Sequence, residues 1–180
     1  MKPPASAPDS PAAAYTELLR RVVALEAERA VQRTMVRYMA LCDVPAGGFA
    51  DETLASLFAD DAVWEGVGPL YESKFGRLEG RDAILAMLTR YLPPTPHFSV
   101  NTHFLSAERI DVAADATHAS GRWLMLQASG YVAGSAELIA ARIDVDFVPC
   151  ATSGAWLIRH FRTRRLFDAP WQVVPSPTET

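Results

Sequence analysis

The feature that most constrains this chain is a change of hydrophobic period at Pro93-Pro94. Before that point apolar residues recur every three or four positions; after it they alternate. His97 to Leu105, Arg109 to Val112, His118 to Gln127, Leu138 to Val148 and Ala155 to Leu166 are rich in β-branched, aromatic or alternating residues, with turn-formers between them. No helical pattern separates these segments, so antiparallel hairpins are expected. The order helix, helix, strand, helix, then a run of strands predicts an α+β fold rather than a doubly wound parallel sheet. A curved sheet must be covered on one face, and three amphipathic helices are available to cover it.

Asp9-Ser10-Pro11 reads as a helix start, with a capping side chain followed by a proline suited to the first turn. Leu18, Val22, Leu25, Val31, Met35, Tyr38 and Cys42 then recur at helical intervals, interleaved with Glu17, Arg20, Arg21, Glu28 and Arg33. Pro45 and Gly47-Gly48 end this helix near Asp43. A short helix is expected over Asp51 to Phe58, a strand over Ala62 to Glu65 and a loop over Tyr71 to Gly80. Gly80-Arg81-Asp82 opens a third helix with Ile84, Leu85, Leu88 and Tyr91 as its stripe. The expected organisation is a disordered lead-in over residues 1–11, one domain over 12–167 and a tail over 168–180, with Gly66 to Arg77 long enough to form a lid.

Composition narrows the function. Among 180 residues, 49% are apolar and 21% charged, which excludes a disordered chain. The net charge of −4, without a basic run, makes nucleic acid and anionic membrane poor partners. No apolar stretch approaches the ~20 residues of a membrane span. No secretory signal is visible at the N-terminus, so a cytoplasmic location is expected. Cys42 and Cys150 read as free thiols. His97, His103, His118 and His160 lack the spacing of a zinc site, so no metal is expected. There is no Gly-Xaa-Ser-Xaa-Gly elbow, phosphate loop or dinucleotide fingerprint.

Two places could carry chemistry. Asp43 closes an apolar helix at the negative end of its dipole, which disfavours its ionised form. Tyr38 lies five positions earlier, about 140° round the helix. The second place is Pro93 to His103, where strand alternation puts His97, Ser99, Asn101 and His103 on one face and Phe98, Val100, Thr102 and Phe104 on the other. That polar row faces either water or a cavity holding proton-transfer groups. Asp60-Asp61 reads as a turn, and Asp144 and Asp146 with Arg142 as a solvated ladder.

The run Val36 to Asp43, then Leu54 to Trp64, then Gly80-Arg81-Asp82-Ala83-Ile84, then Thr95-Pro96-His97 with Asn101, resembles the SnoaL-like branch of the nuclear transport factor two-like superfamily. The resemblance covers residues 17 to 167. It implies a cone-shaped, cystatin-like α+β barrel, in which a curved antiparallel sheet wraps three helices around an apolar pocket. Within the superfamily the pattern is most similar to scytalone dehydratase, bile acid dehydratase and hexachlorocyclohexane dehydrochlorinase. It implies a dyad of Asp43 and His97, with Tyr38 as a pocket tyrosine. The chain departs from that pattern at Ile143-Asp144-Val145, where many members carry Tyr-Xaa-Asp, and at Leu138, where the dehydrochlorinase carries a basic residue.

The resemblance implies a cofactor-independent lyase or isomerase acting on an apolar cyclic molecule. His97 would take a proton from carbon, Asp43 would orient it, and Tyr38 would donate to the developing oxyanion or departing hydroxyl. Trp64, Phe58 and Trp123 would shape the pocket, with Asn101 and His103 orienting a polar substituent. A homodimer or homotrimer is expected. The alternatives are a ligand-binding or scaffold protein resembling the β subunit of a ring-hydroxylating oxygenase, and a polyketide cyclase or hydroxylase accessory.

Overall fold

The computed structural model describes residues 10–46 and 53–172. Residues 1–9, 47–52 and 173–180 lie outside the described residues, and with them most of the expected lead-in and tail, Gly47-Gly48 and the first two residues of the expected second helix. Helix α1 spans Pro11–Cys42, and the Ser10 side chain accepts a hydrogen bond from the Ala13 N–H at 3.2 Å. The proline at its first position has no N–H to leave unpaired. A 3-10 turn at Leu54–Leu57 leads into strand β1, Phe58–Gly66. Helix α2 covers Pro69–Lys74, strand β2 Arg77–Glu79 and helix α3 Arg81–Leu88, which continues as a 3-10 turn to Tyr91. Four long strands follow: β3 Phe98–Val112, β4 Ala119–Tyr131, β5 Ala136–Pro149 and β6 Trp156–Pro170.

The strands form one six-stranded sheet in the order β2-β1-β6-β5-β4-β3. β3 to β6 pair as the expected antiparallel hairpins, but β1 runs parallel to β6, so the sheet is mixed. A first strand that enters beside the last one, after a long helix, is not bound by hairpin geometry. β3 is continuous through the segment expected as two strands. A register shift between Ser106 and Arg109, with Ala107 at φ 50°, absorbs the interruption. Three further boundaries differ from expectation. Asp60 and Asp61 lie within β1, exposed and paired with Arg81 and Arg159. The expected 71–80 loop holds most of α2, which begins at Pro69, and all of β2. β6 runs through Asp168 to Pro170, because Glu137, Leu138 and Ile139 of β5 offer it partners.

The core lies between the concave face of the sheet and the C-terminal half of α1, with α3 across one end. Met35, Phe58, Ile84, Trp123, Ile143, Phe147 and Ile158 are fully buried. Only half of α1 takes part. Ala27, Val31, Thr34, Met35, Tyr38 and Met39 are buried, whereas Leu18, Val22 and Leu25 are exposed. Six residues separate Leu25 from Val31, about 240° round the helix. The apolar positions therefore form two stripes on different faces, not one. The solvated ladder holds: Asp144 pairs with Arg122 at 2.6 Å and Asp146 with Arg162 at 2.7 Å, while Ile143 and Val145 between them are buried. Among the described residues no helix is long and apolar enough to cross a membrane.

Candidate active site

A cavity of about 140 Å³ opens between α1, α2, α3 and the concave sheet. One side is aromatic and aliphatic, with Trp64, Tyr71, Phe75, Tyr91, Phe98 and Phe161 among its walls. The polar groups come from Tyr38 and Cys42 of α1, Lys74 of α2, His97 just ahead of β3, Asn101 and His103 of β3, Gln127 and Tyr131 of β4, and Thr163 of β6.

Asn101 and His103 of the expected polar row thus face inward, whereas Ser99 is exposed. Its position follows from the edge of the sheet. β3 has no neighbour on one side, and the chain leaving α1 pairs there: Val44 N–H donates to Asn101 O at 2.8 Å, and Asn101 N–H to Val44 O at 2.9 Å. The next free donor on that edge is the His103 N–H, which donates to Asp43 Oδ1 at 3.0 Å. The same oxygen lies 2.8 Å from His103 Nδ1. The His103 side chain is 9% exposed and lines the cavity, while Asp43 stands behind it and does not. The carboxylate fixes the tautomer with the proton on Nδ1. Nε2 is then the basic atom, and it has no protein partner among the described residues.

The partner of Asp43 is therefore His103, a correction to the expected pairing with His97. Six residues, or about 20 Å of extended chain, separate the two histidines. A carboxylate anchored at Asn101 and His103 cannot reach His97. The His97 ring lies one residue ahead of β3, against Tyr91, Phe98 and Tyr131 at 5.0, 4.4 and 5.4 Å between centroids. It lines the cavity without the carboxylate. Strand alternation also fails at its start, because the register shifts between Phe98 and Val100 and Phe98 joins the cavity wall.

Asn101 holds the junction. It is 2% exposed; its Nδ2 donates to the last helical carbonyl, Cys42 O, at 3.1 Å, while its Oδ1 accepts from Gln127 Nε2 and Ser129 Oγ, both at 2.8 Å. Tyr38 accepts a hydrogen bond from Trp64 Nε1 at 3.3 Å and lies beside the Cys42 thiol, one helical turn on. Burial pushes the Tyr38 hydroxyl well above the usual range, and pushes the Cys42 thiol up to about 12 against a stabilising hydrogen bond from Tyr38. Both groups are protonated at neutral pH.

Two residues expected in the pocket are elsewhere. Trp123 is buried under the sheet, donating from Nε1 to Glu108 at 2.8 Å and packing on Phe147, because the bare Gly121 two residues earlier leaves room for its ring. Phe58 packs edge-on behind Tyr38 and supports the wall without lining it. Tyr71, Phe75, Gln127 and Tyr131 line the cavity without a signal read from the sequence, and Tyr91, expected in the stripe of the third helix, lines it too. Gly68-Pro69 with Tyr71 and Phe75 one helical turn apart was the signal available for the first two. At the far wall Tyr131 donates to Glu137, which pairs with Arg165 at 2.9 Å, and the Arg165 guanidinium lies over the Tyr71 ring.

The fold, a mixed curved sheet closed by helices, matches known architecture. Residues 23–162 match the family model of the SnoaL-like domain, and the chain belongs to that family. The solved structures it resembles include a proposed scytalone dehydratase from Novosphingobium aromaticivorans DSM 12444 (TM-score 0.65, 23% identity, covering 83% of this chain and 91% of that one). Others are the hexachlorocyclohexane dehydrochlorinase LinA-type3 from Novosphingobium barchaimii LL02 (0.66, 21%, 87% and 98%) and an NTF2-like protein of cystatin-like fold from Novosphingobium aromaticivorans (0.63, 22%, 84% and 89%). Comparison with curated protein sequences finds no match.

Proposed function

We propose that this protein is a cofactor-independent lyase or isomerase that removes a proton from carbon in a small, largely apolar cyclic molecule. The observation that carries the reading is the Asp43–His103 pair at 2.8 Å, with the imidazole in the cavity wall and the carboxylate behind it. His103 Nε2 takes the proton, and Asp43 stabilises the resulting imidazolium. The electron pair left on carbon forms a double bond. In elimination it expels hydroxide or halide from the neighbouring carbon; in isomerisation it passes to a carbonyl oxygen and returns at another carbon. Tyr38, kept protonated by burial, turns its hydroxyl from Cys42 to the oxygen on which charge develops. The dehydratase and dehydrochlorinase names of similar structures favour elimination.

Cavity volume supports the size of the substrate. An apolar cavity of about 150 Å³ takes up one benzene molecule, so about 140 Å³ suits a single ring. The aromatic walls would hold that ring, and His97 with Tyr131 would orient a polar substituent at the end away from His103.

The test is turnover of a panel of cyclic β-hydroxyketones and cyclic halides, followed by enone absorbance and by halide release. On an active compound, His103→Gln should lower kcat by about 10²–10⁴, the contribution of a general base. His97→Gln should act mainly on KM. Full turnover by the His103→Gln variant would remove the mechanism.

A further inference from the structure

The N-terminal half of α1 stands apart from the body, and this surface is independent of the proposed reaction. α1 is 32 residues long, about 48 Å, yet its first buried residue is Ala27. Ahead of it Tyr15, Leu18, Leu19, Val22, Val23 and Leu25 are between 41% and 63% exposed. A helix of this length with such a face is marginal in water unless something covers it. These residues centre on a stripe turned away from the face that carries Val31, Met35 and Tyr38, and Val22, Val23 and Leu25 border an open groove whose other wall is Ala116, Pro149, Gly154 and Trp156 of the body.

The pattern of the stripe says what covers it. Tyr15 and Val22 fall at heptad position a, Leu18 and Leu25 at position d, and the series stops at Arg29, the next a position. Val22, a β-branched residue at a, between leucines at both d positions fits the pattern that favours two parallel strands. The flanking charges agree. In a parallel pair, position g of one helix faces position e of the next heptad of the other. Here Arg21 would face Glu26 of the partner subunit, and Glu28 would face Arg33 of the partner subunit. Both pairs are of opposite sign and both recur by the two-fold axis, giving four contacts. All four residues are exposed, and among the described residues none of them forms an ion pair.

We infer that two copies of this chain associate through α1, parallel and in register over Tyr15 to Arg29, with the two bodies on opposite outer sides of the seam. The seam leaves both cavities open, since it lies on the face of α1 away from Tyr38 and Cys42.

The test uses the full chain. Sedimentation across a range of concentrations should give a dimer, and Leu18→Glu with Leu25→Glu should halve the mass while leaving the circular dichroism of the body unchanged. Arg21→Glu should weaken the dimer, and Arg21→Glu with Glu26→Arg should restore it. Orientation is read by Tyr15→Cys in a Cys150→Ser background, where mild oxidation should join Cys side chains at position 15 of both copies, a pairing that an antiparallel seam would place against position 29 instead. A monomer at all concentrations would overturn the inference. So would an oligomer indifferent to the Leu18 and Leu25 changes, which would place the interface on the exposed sheet residues Phe104, Leu124, Leu126 and Phe167. Dissociation by those changes without the position-15 cross-link would overturn the parallel register.

Discussion

Asp43 owes its role to a backbone donor. The unpaired edge of β3 offers the His103 N–H, and a carboxylate leaving α1 is the nearest acceptor, so one oxygen serves both the main chain and the imidazole. The two thiols differ for equally local reasons. Hydrogen bonds from Ser153 and Thr152 lower the half-buried Cys150 to about 6, whereas burial holds Cys42 at about 12. The thiolate is the reactive form, so at pH 7.4 Cys150 is largely ionised and Cys42 is not. Iodoacetamide at that pH should label Cys150 first, as read by peptide mass spectrometry, and the rate at Cys150 should fall as pH drops below 6. Two of the site residues expected from sequence, Asp43 and Tyr38, stand where a helix of known end places them. The pairing of Asp43 with His97 rested on the resemblance; residues 97 and 103 share strand parity, and parity carries no information about which one faces a carboxylate from another element.

The junction of α1 with β3 and the seat of α2 are where elements create the cavity. Asn101→Ala leaves the Cys42 carbonyl without a donor, and Gln127 and Ser129 without an acceptor, in a place 2% exposed. A loss of about 1–3 kcal/mol is expected from urea unfolding, with a fall in kcat as Asp43 loosens. α2 sits on Gly66: a Cβ there would lie 2.4 Å from the Tyr71 carbonyl oxygen, on the main chain of the helix itself. Gly66→Ala should therefore push α2 outward, cost about 1–3 kcal/mol and weaken binding of any ring-sized ligand, measurable by calorimetry. Helices α1 and α3 and strands β3 to β6 were legible because their periods run for many residues. α2 and β2 were not, since six and three residues are too few to show a period.

At the scale of the molecule, α1 serves two surfaces with one helix. Its second half closes the cone and positions the site, while its first half presents an apolar stripe on another face. If that stripe is covered by a second copy, association contributes to stability by mass action, and the unfolding midpoint should rise with protein concentration. Differential scanning calorimetry over a hundredfold range of concentration would show the rise, and Leu18→Glu with Leu25→Glu should abolish it. The mixed character of the sheet belongs to this scale too. β1 reaches β6 only because the whole chain has curled back on itself, a contact between residues such as Trp64 and Phe161 that lie about a hundred positions apart.

Local rules settled the order of the long elements, the α+β class, the end of α1 at Cys42 and the charged outer ladder of β5. Each of these depends on neighbours within a few residues, through helical or strand period, capping groups and prolines. Folding in three dimensions decided which histidine meets Asp43, which aromatics line the cavity, why Trp123 and Phe58 do not, and why α1 buries only half its length. Those outcomes depend on the direction in which one element crosses another, and no spacing along a single segment encodes that direction.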